Sequence, residues 1–378
     1  MRSLESAGSV LQPYRALGLG APESLIDPAR RRGRGALSRK SGRFEPHARE
    51  EADDGWGSLE DLSALETRVH LEKARSVVTK NDSPDIAFDR SVNPYRGCEH
   101  GCAYCYARPS HAFVGYSPGL DFETEIFVKD GAAQALEREI SAPGYVAKTL
   151  ALGSNTDPYQ PLEKRHRVTR GLLEVLARAN HPVGIVTKSA LVTRDLDILA
   201  PMAKKGLAKV AISVTTLDGD LARRMEPRAP QPRLRLEAIE KLAAAGVPVS
   251  VLVAPIIPAI NDAEIETILT RARACGASEA GYVLLRLPLE LREIFSEWLC
   301  EHFPDRARHV LSLIRQTREG KLYDPSFETR MTGEGPYAWM IGRRFERAAE
   351  KLGFGQGARL RCDLFSPPRR AAEQLALF

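Results

Sequence analysis

The chain has 378 residues, of which 43% are hydrophobic and 27% are charged, a composition typical of a globular protein with a sizeable core. No apolar run approaches the roughly 18 residues that span a bilayer. The first residues also lack the apolar region and cleavage site of a secretory signal, so we expect a soluble, cytoplasmic protein with no membrane partner. The net charge of +5 permits an anionic partner without requiring one.

Residues 1–85 show no sustained hydrophobic periodicity, and we predict that they form a flexible extension. A basic stretch, RRRGRGALSRKSGRF, lies between residues 30 and 49, and acidic residues follow at positions 50–54. Such charge blocks are typical of solvated arms, and basic arms also contact nucleic-acid phosphates. The sequence leaves both interpretations open.

From residue 86 onward, apolar runs alternate with amphipathic stretches. The apolar runs predict strands at residues 146–152, 183–187, 209–214, 249–254 and 282–285. Helical periodicity predicts helices at residues 168–179, 194–204, 233–245 and 263–274. Because Val, Ile and Leu run nearly unbroken in the strands, we expect an α/β fold with a parallel sheet or barrel.

The last quarter of the chain is helical in pattern, with helices predicted at residues 290–303, 307–318 and 337–352. We therefore divide the chain into four parts. These are the extension (1–85), the α/β domain (86–290), a helical C-terminal region (291–366) and a loosely ordered tail (367–378).

Three of the six cysteines, Cys98, Cys102 and Cys105, lie within eight residues, in the segment NPYRGCEHGCAYCY. A disulfide scaffold would spread its cysteines more evenly through a short secreted chain, so this cluster indicates a metal site. Zinc would need a fourth ligand, for which His100 or His111 is available. A [4Fe–4S] cluster held by three cysteines would instead leave one iron free to bind a ligand. The remaining cysteines, at positions 275, 300 and 362, are predicted to be buried or idle thiols.

The CxxxCxxC spacing, with Tyr104 before the third cysteine, resembles the radical S-adenosylmethionine (SAM) superfamily, and the resemblance extends over approximately residues 86–290. It implies a partial (β/α)6 TIM-type barrel, a [4Fe–4S] cluster on Cys98, Cys102 and Cys105, and SAM on the open iron. It also implies that a reductant such as flavodoxin or ferredoxin supplies the electron that cleaves SAM. The products would be methionine and a 5′-deoxyadenosyl radical, which abstracts hydrogen from the substrate.

Residues at the predicted strand ends are candidate cofactor contacts, because the carboxyl ends of parallel strands converge. With the aromatic residue of the cysteine motif, the candidates are Tyr104, Gly153, Ser154, Asn155, Asp157, Lys188, Ser213, Pro255 and Arg286. Gly153 permits close backbone approach, and the polar residues at positions 154–157 could bind an ammonium group. The resemblance implies that Ser213 contacts the ribose. Lys188 and Arg286 could neutralise a carboxylate, Arg286 could also bind an anionic substrate, and Pro255 could pack against adenine. An ordinary turn at residues 153–158 and solvated charges elsewhere are the alternatives. The loop at residues 223–230 could face phosphates or hold internal ion pairs.

Three passages, PYRGCEHGCAYCYARPSH (94–111), TDPYQPLE (156–163) and EPRAP (226–230), resemble the group related to spore photoproduct lyase, often described as DNA-repair-photolyase-like. That resemblance implies a radical SAM enzyme acting on nucleic acid, as a DNA-lesion lyase would. The lyase returns hydrogen from a cysteine near its second strand end, where this chain has Ser154, Asn155 and Thr156; Tyr159 is an alternative donor. A radical enzyme modifying RNA, a peptide or a small molecule, and a non-catalytic zinc-stabilised nucleic-acid-binding protein, remain alternatives.

The chain ends in QLALF, from Gln374 to Phe378. This sequence resembles the peptide by which bacterial replication and repair proteins bind the sliding clamp, with Leu and Phe as apolar anchors. Packing on the protein's own body is the other interpretation.

Overall fold

The computed structural model describes residues 14, 25–45, 63–355, 357 and 359–368. Within these residues the strands are β1 (Arg68–Lys73), β2 (Val78–Lys80), β3 (Arg90–Val92), β4 (Tyr95–Arg96), β5 (Glu125–Asp130), β6 (Leu150–Leu152), β7 (Val183–Thr187), β8 (Ala208–Ser213), β9 (Val249–Ile256) and β10 (Glu279–Leu284). The α-helices are α1 (Asp121–Thr124), α2 (Ala132–Ile140), α3 (Glu163–His166), α4 (Val168–Arg178), α5 (Leu196–Lys204), α6 (Gly219–Met225), α7 (Pro232–Ala244), α8 (Ile265–Ala274), α9 (Leu291–His302), α10 (Ala307–Gln316) and α11 (Gly335–Lys351). Short 3-10 helices span Arg108–Val114, Ala190–Asp195 and Asp262–Glu264.

The main sheet has the order β10-β9-β8-β7-β6-β3-β2. All neighbours from β3 to β10 pair in parallel, and β2 is antiparallel to β3 at the edge. No residue of β6 to β10 is exposed, which explains the apolar runs in the sequence. The prediction of an α/β fold with a parallel sheet is therefore confirmed.

Two large hydrophobic cores and two smaller clusters hold the described residues together. The larger core fills the space between the main sheet and helices α2, α4, α5, α7, α8 and α11. The second core joins residues of the cysteine segment, including Cys102, Ala103 and Tyr104, to α6, α9 and α10. The cysteine segment therefore packs against the C-terminal helices as well as against the α/β unit.

Most predicted elements agree with the structure to within about two residues at each end, as β7 and α4 do. The strand predicted at residues 146–152 is wrong in its first half: only residues 150–152 are strand, because the neighbouring β3 offers only three residues for pairing. The sequence analysis also missed a small second sheet of order β1-β5-β4, in which β1 and β5 are parallel. No residue of β1 is buried, so its sequence carries no alternating apolar pattern.

Part of the predicted flexible extension is packed against the rest of the protein. Ala36, Leu37 and Ser38 are almost completely buried. Cations of the basic stretch pair with acidic residues of the body, among them Arg31–Glu301, Arg39–Asp121, Lys40–Glu293 and Arg43–Glu290. The charge pattern alone did not indicate this packing, because the acidic partners lie far away in the sequence.

The end of the described chain runs back along the α/β unit, where the backbone of Arg361 bonds Gly206 at 2.8 Å and that of Ser366 bonds Ala179 at 2.9 Å. The acidic stretch at residues 50–54 and the terminal QLALF both lie outside the described residues. Across the described part of the chain, no helix combines the length and apolarity that a membrane crossing requires.

Candidate active site

The three clustered cysteines lie on the loop between β4 and the 3-10 helix Arg108–Val114. Cys98 and Cys102 are buried, Cys105 is half-buried, and all three are free thiols. Backbone hydrogen bonds anchor the loop, from Cys98 N–H to the Phe122 carbonyl at 2.8 Å and from Ala103 N–H to the Met225 carbonyl at 2.9 Å. The loop is thus anchored by the protein's own backbone at two points, at Phe122 and at Met225.

The chemistry of this loop suits a metal group. Burial raises the pKa values of the Cys98 and Cys102 thiols, and the charge of nearby Asp157 adds to the rise at Cys98. Thiolates bind metals, so buried thiolates need the cationic group that a cluster supplies. Among the described residues, no three His, Cys, Asp or Glu side chains are arranged as ligands of one single ion. A four-iron cluster takes its cysteine ligands on separate irons, so its ligands need not meet at one point.

The loop that follows β6 clamps the cysteine loop. The Thr156 hydroxyl donates to the Gly97 carbonyl at 2.8 Å, and the Gln160 amide donates to the same oxygen at 3.2 Å. In return, the Glu99 backbone N–H donates to the Gln160 side chain at 2.9 Å. All three side chains are buried, so the two loops form one structural unit. Sequence reasoning considered Thr156 only as one of the polar residues that could bind an ammonium group, and it gave Gln160 no role.

The predicted contacts at Gly153, Ser154 and Asn155 lie together at the end of β6. Gly153 has φ +94°, and a Cβ there would lie 2.2 Å from the Val186 carbonyl oxygen, so only glycine fits. The side chain of Asn93 holds the two residues that follow Gly153. The Asn93 amide donates to the Ser154 hydroxyl at 3.0 Å, and the Asn93 side-chain carbonyl accepts from the Asn155 backbone N–H at 2.9 Å. Asn93 was missed because a single Asn before a proline looks like an ordinary turn residue.

The carboxylate of Asp157 is fully engaged in hydrogen bonds within the protein. Its carboxylate accepts from the Thr187 hydroxyl at 2.6 Å, the Lys188 backbone at 2.8 Å and the Tyr159 backbone at 2.9 Å. The His100 ring lies 3.3 Å away. Burial alone would raise the pKa of Asp157, but the His100 ring and the hydrogen bonds outweigh burial and lower the pKa to about 2. This arrangement ties the end of β6 to the end of β7.

Tyr104 is also turned inward. Its hydroxyl contacts the Glu226 carboxylate, which accepts from Thr215 at 2.7 Å and pairs with Arg235. Glu226 and Arg235 are 2% and 1% exposed, so the glutamate of the EPRAP passage belongs to a buried ion pair. The Lys188 ammonium lies 5.6 Å from the centre of the Tyr104 ring.

Arginines of the loop at residues 223–230 form ion pairs with acidic residues outside the loop. Arg223 pairs with Asp220 at 3.0 Å, and Arg228 pairs with Glu99 at 3.3 Å. The interpretation that these arginines pair within the loop is therefore wrong for both of them. Arg228 thereby ties this loop to the cysteine loop.

The ends of β8 and β9 are joined by Asn261, which the sequence analysis missed. Its amide donates to the carbonyls of Thr215 at 2.7 Å and Pro255 at 3.0 Å. Ser213 is buried, and its carbonyl accepts from Arg235 at 3.2 Å. Ser213 and Pro255 therefore lie at the predicted strand ends.

Arg286 follows β10, and its guanidinium lies 5.3 Å from the centre of the Tyr106 ring. The Tyr106 hydroxyl donates to the Ser154 carbonyl. Within the described residues Arg286 forms no ion pair, and its guanidinium donates to the Met331 sulfur at 3.4 Å. Tyr159, the alternative hydrogen donor, is instead buried, with its hydroxyl on Asp195 at 3.1 Å.

Comparison with known proteins gives the site a family context. The model of the radical SAM superfamily matches residues 92–272, which include the cysteine loop and the strand ends described above. An uncharacterized protein of Mycobacterium tuberculosis is 36% identical over 244 residues, covering 64% of this chain and 71% of that protein. An uncharacterized protein of Methanocaldococcus jannaschii is 27% identical over 192 residues, covering 51% and 69%.

Among solved structures, spore photoproduct lyase complexed with dinucleoside spore photoproduct is similar, with a TM-score of 0.54 and 17% identity over 75% of this chain and 79% of the lyase. A second structure of that lyase has a TM-score of 0.51 and 15% identity over 91% of each chain. At this level of identity the likeness concerns the fold alone.

Proposed function

Because the chain belongs to the radical SAM superfamily, whose members use a [4Fe–4S] cluster and SAM, we propose that it cleaves SAM reductively at a cluster held by Cys98, Cys102 and Cys105. We further propose that its substrate is nucleic acid, with repair of a DNA lesion as the leading case. The observation that carries the first proposal is the anchored loop of three free thiols beside the ends of β6, β7 and β8.

When bound, the cluster would supply the electron that splits SAM into methionine and a 5′-deoxyadenosyl radical. The chain's own residues would hold the reactants. Lys188 and Arg286 are the cations available for a carboxylate, since neither has a carboxylate partner among the described contacts. Ser154 and Asn155 offer polar groups beside Tyr106 and Ser110. Asp157 and Tyr104 would instead position their neighbours and not touch the ligand.

Exposed aromatic side chains paired with arginine support the nucleic-acid proposal. Tyr106 and Phe327 are each 47% exposed, with the guanidinium groups of Arg286 and Arg330 at 5.3 and 4.6 Å from the ring centres. Arg330 also pairs with Asp85, so its contribution is the plane of its guanidinium and not a free charge. Aromatic faces and arginine planes are the groups on which unpaired bases stack. The cations of the basic stretch at residues 30–44 carry less weight, because several are already neutralised by ion pairs.

The experiment is anaerobic incubation of the reduced protein with SAM and defined oligonucleotides, damaged and undamaged. We expect 5′-deoxyadenosine from the wild type and none from the variant with all three loop cysteines changed to alanine. With a true substrate carrying deuterium, the label should appear in 5′-deoxyadenosine. A matched control changes the exposed Cys362 to alanine, which should leave the yield unchanged.

The same protein preparation distinguishes the proposed function from two alternative functions. A protein that forms 5′-deoxyadenosine but fails to bind DNA at low salt would act on RNA, a peptide or a small molecule. A colourless protein containing zinc and no iron would instead be a zinc-stabilised binding protein, and the radical proposal would be wrong.

A further inference from the structure

A short segment near the N-terminus, residues 34–38, packs against the cysteine loop. Gly35 lies directly against the carbonyl oxygen of Gly101, the residue that precedes Cys102. A Cβ on Gly35 would lie 1.7 Å from that oxygen, so no other residue fits without moving the loop. Ala36 and Leu37 are 0% and 1% exposed, so the segment is part of the interior.

Glu123 connects this segment to the cysteine loop. Its carboxylate accepts from the backbone N–H groups of Gly35 at 2.9 Å and Ala36 at 2.8 Å. It also pairs with Arg108, whose Nε donates to the Cys102 carbonyl at 2.9 Å. Glu123 and Arg108 are both fully buried, so the contacts run without a break from the segment to the backbone of a cysteine.

Arg34 makes a second connection. Its guanidinium donates to the backbone carbonyls of Glu123 and Leu65, both at 2.9 Å. A buried ion pair such as Arg108–Glu123 is tolerated only when its remaining hydrogen bonds are satisfied. Without the segment, the Glu123 carboxylate would lose two donors, and the pair that supports Cys102 would be left incomplete.

We propose that residues 34–38 are positioning residues of the cysteine loop, so that this distant N-terminal segment is required for stable cluster binding. The proposal rests on the proposed function only in assuming that the cysteine loop binds the cluster. The segment acts through Glu123 and Arg108 and not by touching the cluster. Its loss should loosen the loop selectively while the sheet stays folded.

The test compares Gly35→Ala with Gly171→Ala in the full chain. Gly35→Ala forces the clash with Gly101, whereas Gly171 lies in helix α4 with only an ordinary 3.5 Å contact to the Ala133 Cβ. After anaerobic reconstitution, we expect Gly35→Ala to lose iron to a chelator several-fold faster than the wild type. In the apoprotein, amides of residues 97–106 should exchange faster with deuterium, while those of β8 and β9 should not change. Gly171→Ala should match the wild type in both measurements.

A milder variant guards against simple misfolding. Arg34→Lys keeps the positive charge but loses the two-pronged contact with Glu123 and Leu65, and it should show the same two changes to a smaller degree. Wild-type iron retention and loop exchange in both variants would overturn the proposal and leave the proposed function intact. Faster exchange that is uniform across the sheet and the loop would also count against it. If the wild type bound no cluster, the proposed function would fail, and the exchange measurement would still show whether the segment fixes the loop.

Discussion

Glu226 shows how single buried side chains organise the candidate site. Its carboxylate contacts Tyr104 of the cysteine loop, Thr215 after β8 and Arg235 of helix α7. Three separate parts of the chain therefore meet at one carboxylate that is 2% exposed. Asp157 has a comparable role between the ends of β6 and β7. These residues shape the site because buried charges must be fully satisfied.

Changing Glu226 to Gln should destabilise the protein by about 3 kcal/mol or more, because the substitution leaves Arg235 charged and unpaired in the interior. Urea unfolding of the apoprotein measures the effect. The matched control is Asp220→Asn, which breaks the exposed pair with Arg223 and should cost less than about 1 kcal/mol. Equal costs for the two variants would contradict the assigned role.

Gly153→Ala should weaken SAM binding and lower stability by at least about 1 kcal/mol, because it combines an unfavourable φ of +94° with a clash against the Val186 carbonyl. Calorimetric titration of the reconstituted protein with SAM measures the affinity. Gly184→Ala is the control, since a Cβ on Gly184 meets nothing within 4 Å. An affinity for SAM that is unchanged in Gly153→Ala would show that the loop after β6 does not contact the cofactor.

At the scale of elements, helix α9 is an integral support of the cysteine loop. Trp298 of α9 is completely buried, and its indole N–H donates to the Arg224 carbonyl at 2.9 Å. The second core, to which α9 contributes, also contains Tyr104 and Met225, and the Met225 carbonyl accepts the backbone hydrogen bond of Ala103. The helical region after β10 is therefore coupled to the site by direct packing.

Trp298→Ala should cost about 3–5 kcal/mol through the cavity that it creates and the lost hydrogen bond. Urea unfolding, followed by far-ultraviolet circular dichroism, measures this cost. Trp339→Ala is the matched control, because Trp339 of α11 is 69% exposed and its loss should change stability by less than about 0.5 kcal/mol. A small cost at Trp298 would mean that α9 is dispensable for the fold.

At the scale of the whole molecule, the second core joins segments far apart in sequence. It contains residues of the N-terminal segment, the cysteine loop, α6 and the C-terminal helices, among them Ala36, Ala103, Met225 and Trp298. At the opposite end of the described chain, Phe365 packs against Tyr145 and His181 with ring centres 5.6 and 5.3 Å apart. Segments near both ends of the described chain thus pack against the rest of the protein.

His181 makes the stability of the whole molecule sensitive to acid. Burial lowers its pKa from 6.5 to about 4. Between these two pH values the histidine is therefore protonated in the unfolded chain and neutral in the folded chain. Stability should fall as the pH drops from about 6.5 towards 4, with this histidine contributing about 2 kcal/mol of the loss at pH 5. Urea unfolding of the apoprotein at pH 7 and pH 5 measures it. His181→Gln should reduce the pH dependence, whereas replacement of the exposed His309 by Gln should not. Identical pH dependence in all three proteins would contradict the assignment.

Hydrophobic pattern was sufficient to predict β7, β8, α4 and α8 to within about two residues, because buried strands and amphipathic helices are encoded locally. In the small sheet of β1, β4 and β5, two strands carry no local signal, because β1 has no buried residue and β4 has only two residues. The packing of residues 34–38 was missed because Gly35 and Ala36 carry no local signal for it. Their partner Glu123 lies almost ninety residues away, and only the folded chain brings them together.

Local sequence alone determined the class of fold and singled out the cysteine loop, since apolar periodicity and cysteine spacing are properties of neighbouring residues. Tertiary structure decided which polar side chains face inward. Asp157 and Tyr104 were indistinguishable from ligand contacts in the sequence, yet their polar groups are taken up by Lys188, Thr187 and Glu226. The physical reason is that a buried polar group must find its partners in three dimensions, and those partners come from loops that follow different strands.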